Sequence, residues 1–139
     1  MKEFPGVADG SLSLPSLVRL IGKVNDAEDE ALSAHYQIIN NATDMRPILQ
    51  LGRRYPRITK PDGIGVDSDL LKTLRAVPSY GVRPAIREGK IERIRLTEAT
   101  LPSPAGKSSR IIRFEGLVEK QWQLLGAFTA FFPGREAVD

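Results

Sequence analysis

The sequence predicts an α+β domain: N-terminal helices packed on a C-terminal, mainly antiparallel sheet of about four strands. Three observations carry this. Apolar residues recur at helical spacing through the first half of the chain. The period changes to two after about residue 82. Two alternating stretches, 109–119 and 121–132, follow each other so closely that they should pair antiparallel. A cone-like sheet wrapped by helices around an internal pocket fits the same order of elements.

Residues 1–13 are rich in Gly, Ser and Pro and read as a loose arm. Helical periodicity begins at Leu14-Pro15, with Ser13 or Ser16 as the cap and proline in the favoured first turn. Leu17, Leu20, Ile21 and Val24 fall on one face. Asn25 with Glu28 reads as a second cap, and Ala27, Ala31, Leu32, Tyr36 and Ile39 extend an apolar stripe to about Asn40. The expectation is one long helix weakened at Gly22–Asn25, or two consecutive ones. After a break at 40–43, Asp44 caps a short helix that Gly52 should end. Residues 53–66 read as a loop, with turn chemistry at Pro61-Asp62-Gly63. Asp67 or Ser68 caps a further helix carrying Leu70, Leu71 and Leu74, closed by Pro78. The mainly helical part is thus 14–78.

The mainly β part is 82–133. Val82–Arg87, the dipeptide Glu88-Gly89 and Lys90–Thr100 read as a hairpin with a two-residue turn, with Pro84 making its first strand short or placing it at an edge. In the next strand Ile112, Phe114 and Val118 point one way, and Arg113 and Glu115 the other. The final strand places Trp122, Leu124, Gly126, Phe128, Ala130 and Phe132 on one face and Leu125, Ala127, Thr129 and Phe131 on the other. A strand apolar on both faces is usually covered on both. One face can take the helices. The other should meet a further layer, a cavity or another chain.

The chain has 139 residues, 41% hydrophobic and 27% charged, which suits one globular domain over 1–139. It has no cysteine, which excludes disulfides, thiolate nucleophiles and cysteine-rich metal centres. The single histidine, His35, excludes a multi-histidine metal site, and its apolar helical context favours a structural role. Gly106-Lys107-Ser108 resembles the end of a phosphate-binding loop, but position 101 is leucine where that loop needs glycine. Asp67-Ser68-Asp69 lacks the further oxygen ligands of a calcium loop and is better explained by capping. No cofactor and no metal are therefore expected. The first residues lack a signal-like apolar run and no stretch reaches the roughly 20 apolar residues of a spanning helix, so a soluble, cytoplasmic protein is expected.

Charge is unevenly placed. Residues 1–44 hold three basic and seven acidic side chains, 45–60 hold five basic and no acidic ones, and 83–113 hold eight basic against three acidic. Arg53, Arg54, Tyr55 and Arg57, with Lys60 close by, form the strongest contact candidate, because guanidinium forks bind phosphate or carboxylate bidentately. Arg83, Arg87, Arg93, Arg95, Arg110 and Arg113 would form a basic sheet surface if several share a face, with Glu92 and Glu98 neutralising part of it.

The leading functional expectation is a non-enzymatic binding or assembly module. It would self-associate, or dock on another protein, through the final apolar strand, with an anionic ligand or nucleic acid at the arginines. Membrane contact is not expected. The alternative is a small-molecule pocket protein or pocket enzyme. Its cavity would be lined by Trp122, Phe128 and Phe114, with Tyr36, His35 or a buried carboxylate as the polar group. A small nuclease or toxin-like domain using His35 and the arginines is a further alternative.

Overall fold

The computed structural model describes residues 12–26, 37–40, 46–76, 84–101 and 108–132. His35, Tyr36, Arg83, the second cap at Asn25–Glu28 with the stripe beyond it, the Asp44 cap and the loop at 102–106 fall wholly or largely outside them.

The first helix, α1 (Leu14–Asp26), starts as its sequence demands. The Ser13 hydroxyl accepts from the Ser16 amide at 3.4 Å, and the Leu17 amide donates to the Ser13 carbonyl at 2.8 Å. Leu17, Val18, Leu20 and Ile21 are buried. The second helix, α2 (Arg46–Arg54), crosses α1 at close range. It runs through Gly52 rather than ending there. A Cβ on Gly52 would lie 2.7 Å from a Val18 methyl, so this glycine serves helix approach and not helix termination. A 3-10 turn (Pro56–Thr59) follows directly. Gly63, at φ +63°, closes the expected turn, with its amide donating to the Lys60 carbonyl at 2.8 Å. The segment read as a loop over 53–66 thus contains a helical end, a 3-10 turn and the two-residue strand β2 (Ile64–Gly65). Asp67 caps α3 (Ser68–Arg75), its carboxylate accepting from the Leu70 amide at 2.8 Å.

Two further expectations fail. Residues 82–87 were expected as a strand, but Pro84–Arg87 is a helical turn, α4. Proline occupies its first position. Gly89, at φ +71°, closes it: the Lys90 amide donates to the Ala85 carbonyl at 2.9 Å and the Gly89 amide to Ile86 at 3.2 Å. That pair is a Schellman motif, so Glu88-Gly89 is a helix stop and not a hairpin turn. Residues 37–40 were expected at the end of a helix, but Gln37–Asn40 is strand β1. Its β-branched pair, Ile38-Ile39, suits a ladder, and tertiary pairing overrides the local period.

The sheet is antiparallel throughout, in the order β1-β5-β4-β3-β2, with β3 (Arg93–Leu101), β4 (Ser108–Val118) and β5 (Gln121–Phe132). β1 pairs with β5 from Gln37 opposite Phe131 to Asn40 opposite Phe128. The domain is α+β, with helices in the N-terminal part and the long strands at the C-terminus. The core joins α1, α2 and the 3-10 turn to one face of the sheet. Ile58, Ile94, Ile112, Phe114 and Phe128 are fully shielded there.

The final strand corrects the expected facing. Phe114 pairs with Gly126 but Glu115 pairs with Leu124, so Leu125 is an extra, unpaired residue in a β-bulge. The extra residue resets the alternation. Leu125, Phe128 and Ala130 face the core, whereas Trp122 and Leu124 turn to the opposite face with Ala127 and Thr129. Gly116 makes room for the bulge: a Cβ on it would sit 2.9 Å from a Leu125 methyl.

Candidate functional site

The outer face of the sheet reads in rows across β3, β4 and β5. Arg93, Leu117 and Trp122 form one row. Arg95, Glu115 and Leu124 form the next, and Thr97, Arg113 and Ala127 the third. Neighbouring strands lie about 4.8 Å apart, so side chains within a row touch and long ones reach the next row.

Glu115 organises this face. Its carboxylate accepts from Arg95 Nε at 2.7 Å and from the Thr97 hydroxyl at 3.3 Å, and Arg113 approaches its other oxygen at 3.3 Å. Only 8% of the Glu115 side chain is exposed, against 45% for Arg113. A carboxylate this deeply set requires its cationic partners. Arg95 does more than pair. Its guanidinium carbon lies 3.9 Å from the centroid of the Trp122 ring, and its Nη1 donates to the Pro61 carbonyl at 2.7 Å. Arg93 holds the same turn, donating to the Asp62 and Gly63 carbonyls at 2.7 and 3.1 Å. Trp122 and the turn that ends the arginine-rich segment therefore meet on one guanidinium.

Leu124 stands beside this network and is 44% exposed. It is the one large apolar side chain in that state among the described residues. Leu117, Trp122 and Ala127 around it are half-buried.

The expected arginine cluster divides. The Arg53 guanidinium fills the space that a side chain on Gly22 would take and so ties α2 to α1. Tyr55 packs partly against the core. Arg54 and Arg57 are exposed, and Arg54 lies 5.5 Å from the Tyr55 ring centroid. The expected basic sheet also divides. Arg93, Arg95 and Arg113 share the outer face, neutralised in part by Glu115 and not by Glu92. Arg110 lies on the inner face, where it is buried, donating to the Leu12 carbonyl at 2.8 Å and approaching Glu98 at 3.4 Å. Arg87 belongs to α4. Phe114 and Phe128 are closed inside the core, and Trp122 lies on the opposite face, so the three share no surface.

Sequence reasoning missed Glu115 as the neutralising group and Leu124 as the exposed apolar side chain. The signal was the pairing register. Without it, no residue in 109–119 can be set against one in 93–101.

Among the described residues no three acidic or histidine side chains cluster as a metal site, and no helix is long and apolar enough to cross a membrane. Comparison with protein-family models, with curated proteins and with solved structures finds no match to this chain.

Proposed function

We propose that this protein is a non-enzymatic, cytoplasmic assembly module that self-associates through the outer face of β4 and β5. The observation that carries the reading is Leu124, exposed beside Trp122 and surrounded by half-buried apolar neighbours. Interfaces are anchored by such a cluster, with tryptophan and arginine prominent in it and a polar rim around it.

A second copy is the partner that the patch fits. A two-fold interface must be self-complementary. Exposed Arg113 lies on one side of the Leu124 row, and exposed Glu119 lies on the other, at the hairpin tip. Two such faces brought together about a two-fold axis near Leu124 set each arginine towards the partner's carboxylate. The Arg95–Trp122 contact fixes the anchor before association, which lowers the entropy lost on binding.

Size-exclusion chromatography with light scattering tests this over roughly 10–200 μM protein, a range that detects micromolar dimers. Wild type should move from monomer to dimer with concentration. Leu124→Gln should stay monomeric with a thermal midpoint close to that of wild type, because the side chain is 44% exposed and the change sets no second carboxylate opposite Glu115. A wild type that remains monomeric throughout ends the proposal.

A further inference from the structure

The second surface lies away from Leu124, on the segment that leaves α2. Ile58 is fully buried and Tyr55 packs partly against the core. A three-residue repeat, which is the period of the 3-10 turn, carries positions 55 and 58 inward. It leaves Arg57 and Lys60 on the solvent side, and Arg54, the last residue of α2, is exposed just before the turn. In 3-10 geometry Arg57 and Lys60 are about 6 Å apart along the axis. Arg93 continues the row, since its guanidinium is clamped to the carbonyls of Asp62 and Gly63 just beyond Lys60.

These four cations share a second property. Among the described residues, the ion pairs use Glu88, Glu98 and Glu115, and none of them involves Arg54, Arg57, Lys60 or Arg93. Asp62 is nearest in sequence, and it forms no such pair. The ridge therefore presents positive charge that no ion pair among the described residues holds, with Asp62 as the neighbouring carboxylate. Its own four residues include no apolar side chain, and the exposed leucine is two strands away from Arg93, on β5. A protein partner draws most of its affinity from an apolar or aromatic anchor. A phosphodiester chain needs none, since charge neutralisation and counterion release supply its affinity.

We infer that the ridge Arg54–Arg57–Lys60, with Arg93, binds the phosphate backbone of a nucleic-acid strand without reading its sequence. Three to four phosphate contacts on a single strand imply that log K falls with log salt at a slope of roughly −2 to −3. The inference stands apart from the self-association proposed above, because the two surfaces share no residue that either test alters.

Fluorescence anisotropy with a labelled oligothymidylate tests it over about 20–200 mM salt, where such contacts are strongly screened. Wild type should bind at low salt with the slope given. The triple variant Arg54→Gln/Arg57→Gln/Lys60→Gln should bind at least tenfold more weakly, with the slope reduced by about 2. Arg54→Lys/Arg57→Lys should keep the slope, which separates charge from any loss of folding. Leu124→Gln should bind as wild type does. Absence of binding, binding unchanged in the triple variant, or equal binding of polyglutamate of the same length overturns the inference.

Discussion

On the inner face of the β4–β5 hairpin, Phe114, Leu125 and Phe128 are closed from water by the helices. On the outer face of the same strands, a carboxylate is held by two guanidinium groups, a tryptophan is covered by one of them, and a leucine is left exposed. One strand pair therefore carries two kinds of order. The inner order depends on shape and on removing apolar surface from water, so it tolerates salt and resists truncation poorly. The outer order depends on a charged network and leaves Leu124 exposed to water. The bulge at Leu125 separates the two. A regular ladder through Trp122–Phe132 would have put Trp122 and Leu124 with the core.

Breaking the inner face should have the largest effect. Phe114→Ala removes a fully shielded ring and should cost about 3–5 kcal/mol in urea unfolding. That is a large share of the roughly 5–15 kcal/mol available to a domain of this kind. The loss should not change between low and high salt. A loss under about 1.5 kcal/mol would mean that the site collapses freely and that the core is looser than its burial implies.

Deleting Leu125 tests the bulge itself. Because Phe114 already pairs with Gly126 and Glu115 with Leu124, removing the extra residue leaves those partners joined by a regular ladder. The expected cost is that of one core leucine, about 2–4 kcal/mol, and Leu125→Ala should cost about the same. A deletion that abolishes folding while Leu125→Ala does not would show that the bulge sets the register.

The outer face should break more gently. Glu115→Gln leaves Arg95 its contacts with Pro61 and Trp122 but removes the charge shared by two arginines. The carboxylate is nearly buried while Arg113 is half exposed, so the expected loss in urea unfolding is about 1–3 kcal/mol, below that of a fully buried pair. A loss below about 0.5 kcal/mol would place the network with ordinary surface ion pairs.

This contrast also explains what the sequence disclosed. The inward residues of α1, the Asp67 cap and the β4–β5 pairing are local patterns, and each appears as expected. Gln37–Asn40 was misread because its strand partner lies some ninety residues away, and no local period reports such a pairing. Pro84 to Gly89 carried helix start and stop residues, but a six-residue stretch offers too few positions to tell one turn of helix from a short strand. The candidate site suffered most. Trp122 was legible as an unusual residue, whereas its contact with Arg95, and the union of Arg95 with Glu115, depend on register and on one bulged residue. Of the arginine cluster, Arg54 and Arg57 were legible as exposed cations. The use of Arg53 over Gly22 was not, because it depends on how closely two helices cross.

The smallest effect should come from the hairpin tip, which belongs to neither face. Glu119 and Lys120 connect β4 to β5 at φ 51° and 67°. Two consecutive left-handed residues make the turn that matches strand twist, and its usual occupants are Asn and Gly. A lysine in that conformation is strained by about 1–2 kcal/mol, which glycine relieves while giving back part of the gain through greater freedom of the unfolded chain. Lys120→Gly should therefore raise stability by roughly 0.5–1 kcal/mol, read as a higher thermal midpoint with the same unfolding cooperativity. The variant retains Leu124, Arg113 and Glu119, so its concentration dependence in light scattering should match wild type. If it becomes more stable and also loses self-association, then Lys120 takes part in the contact beside Glu119 and the outer surface extends over the whole tip.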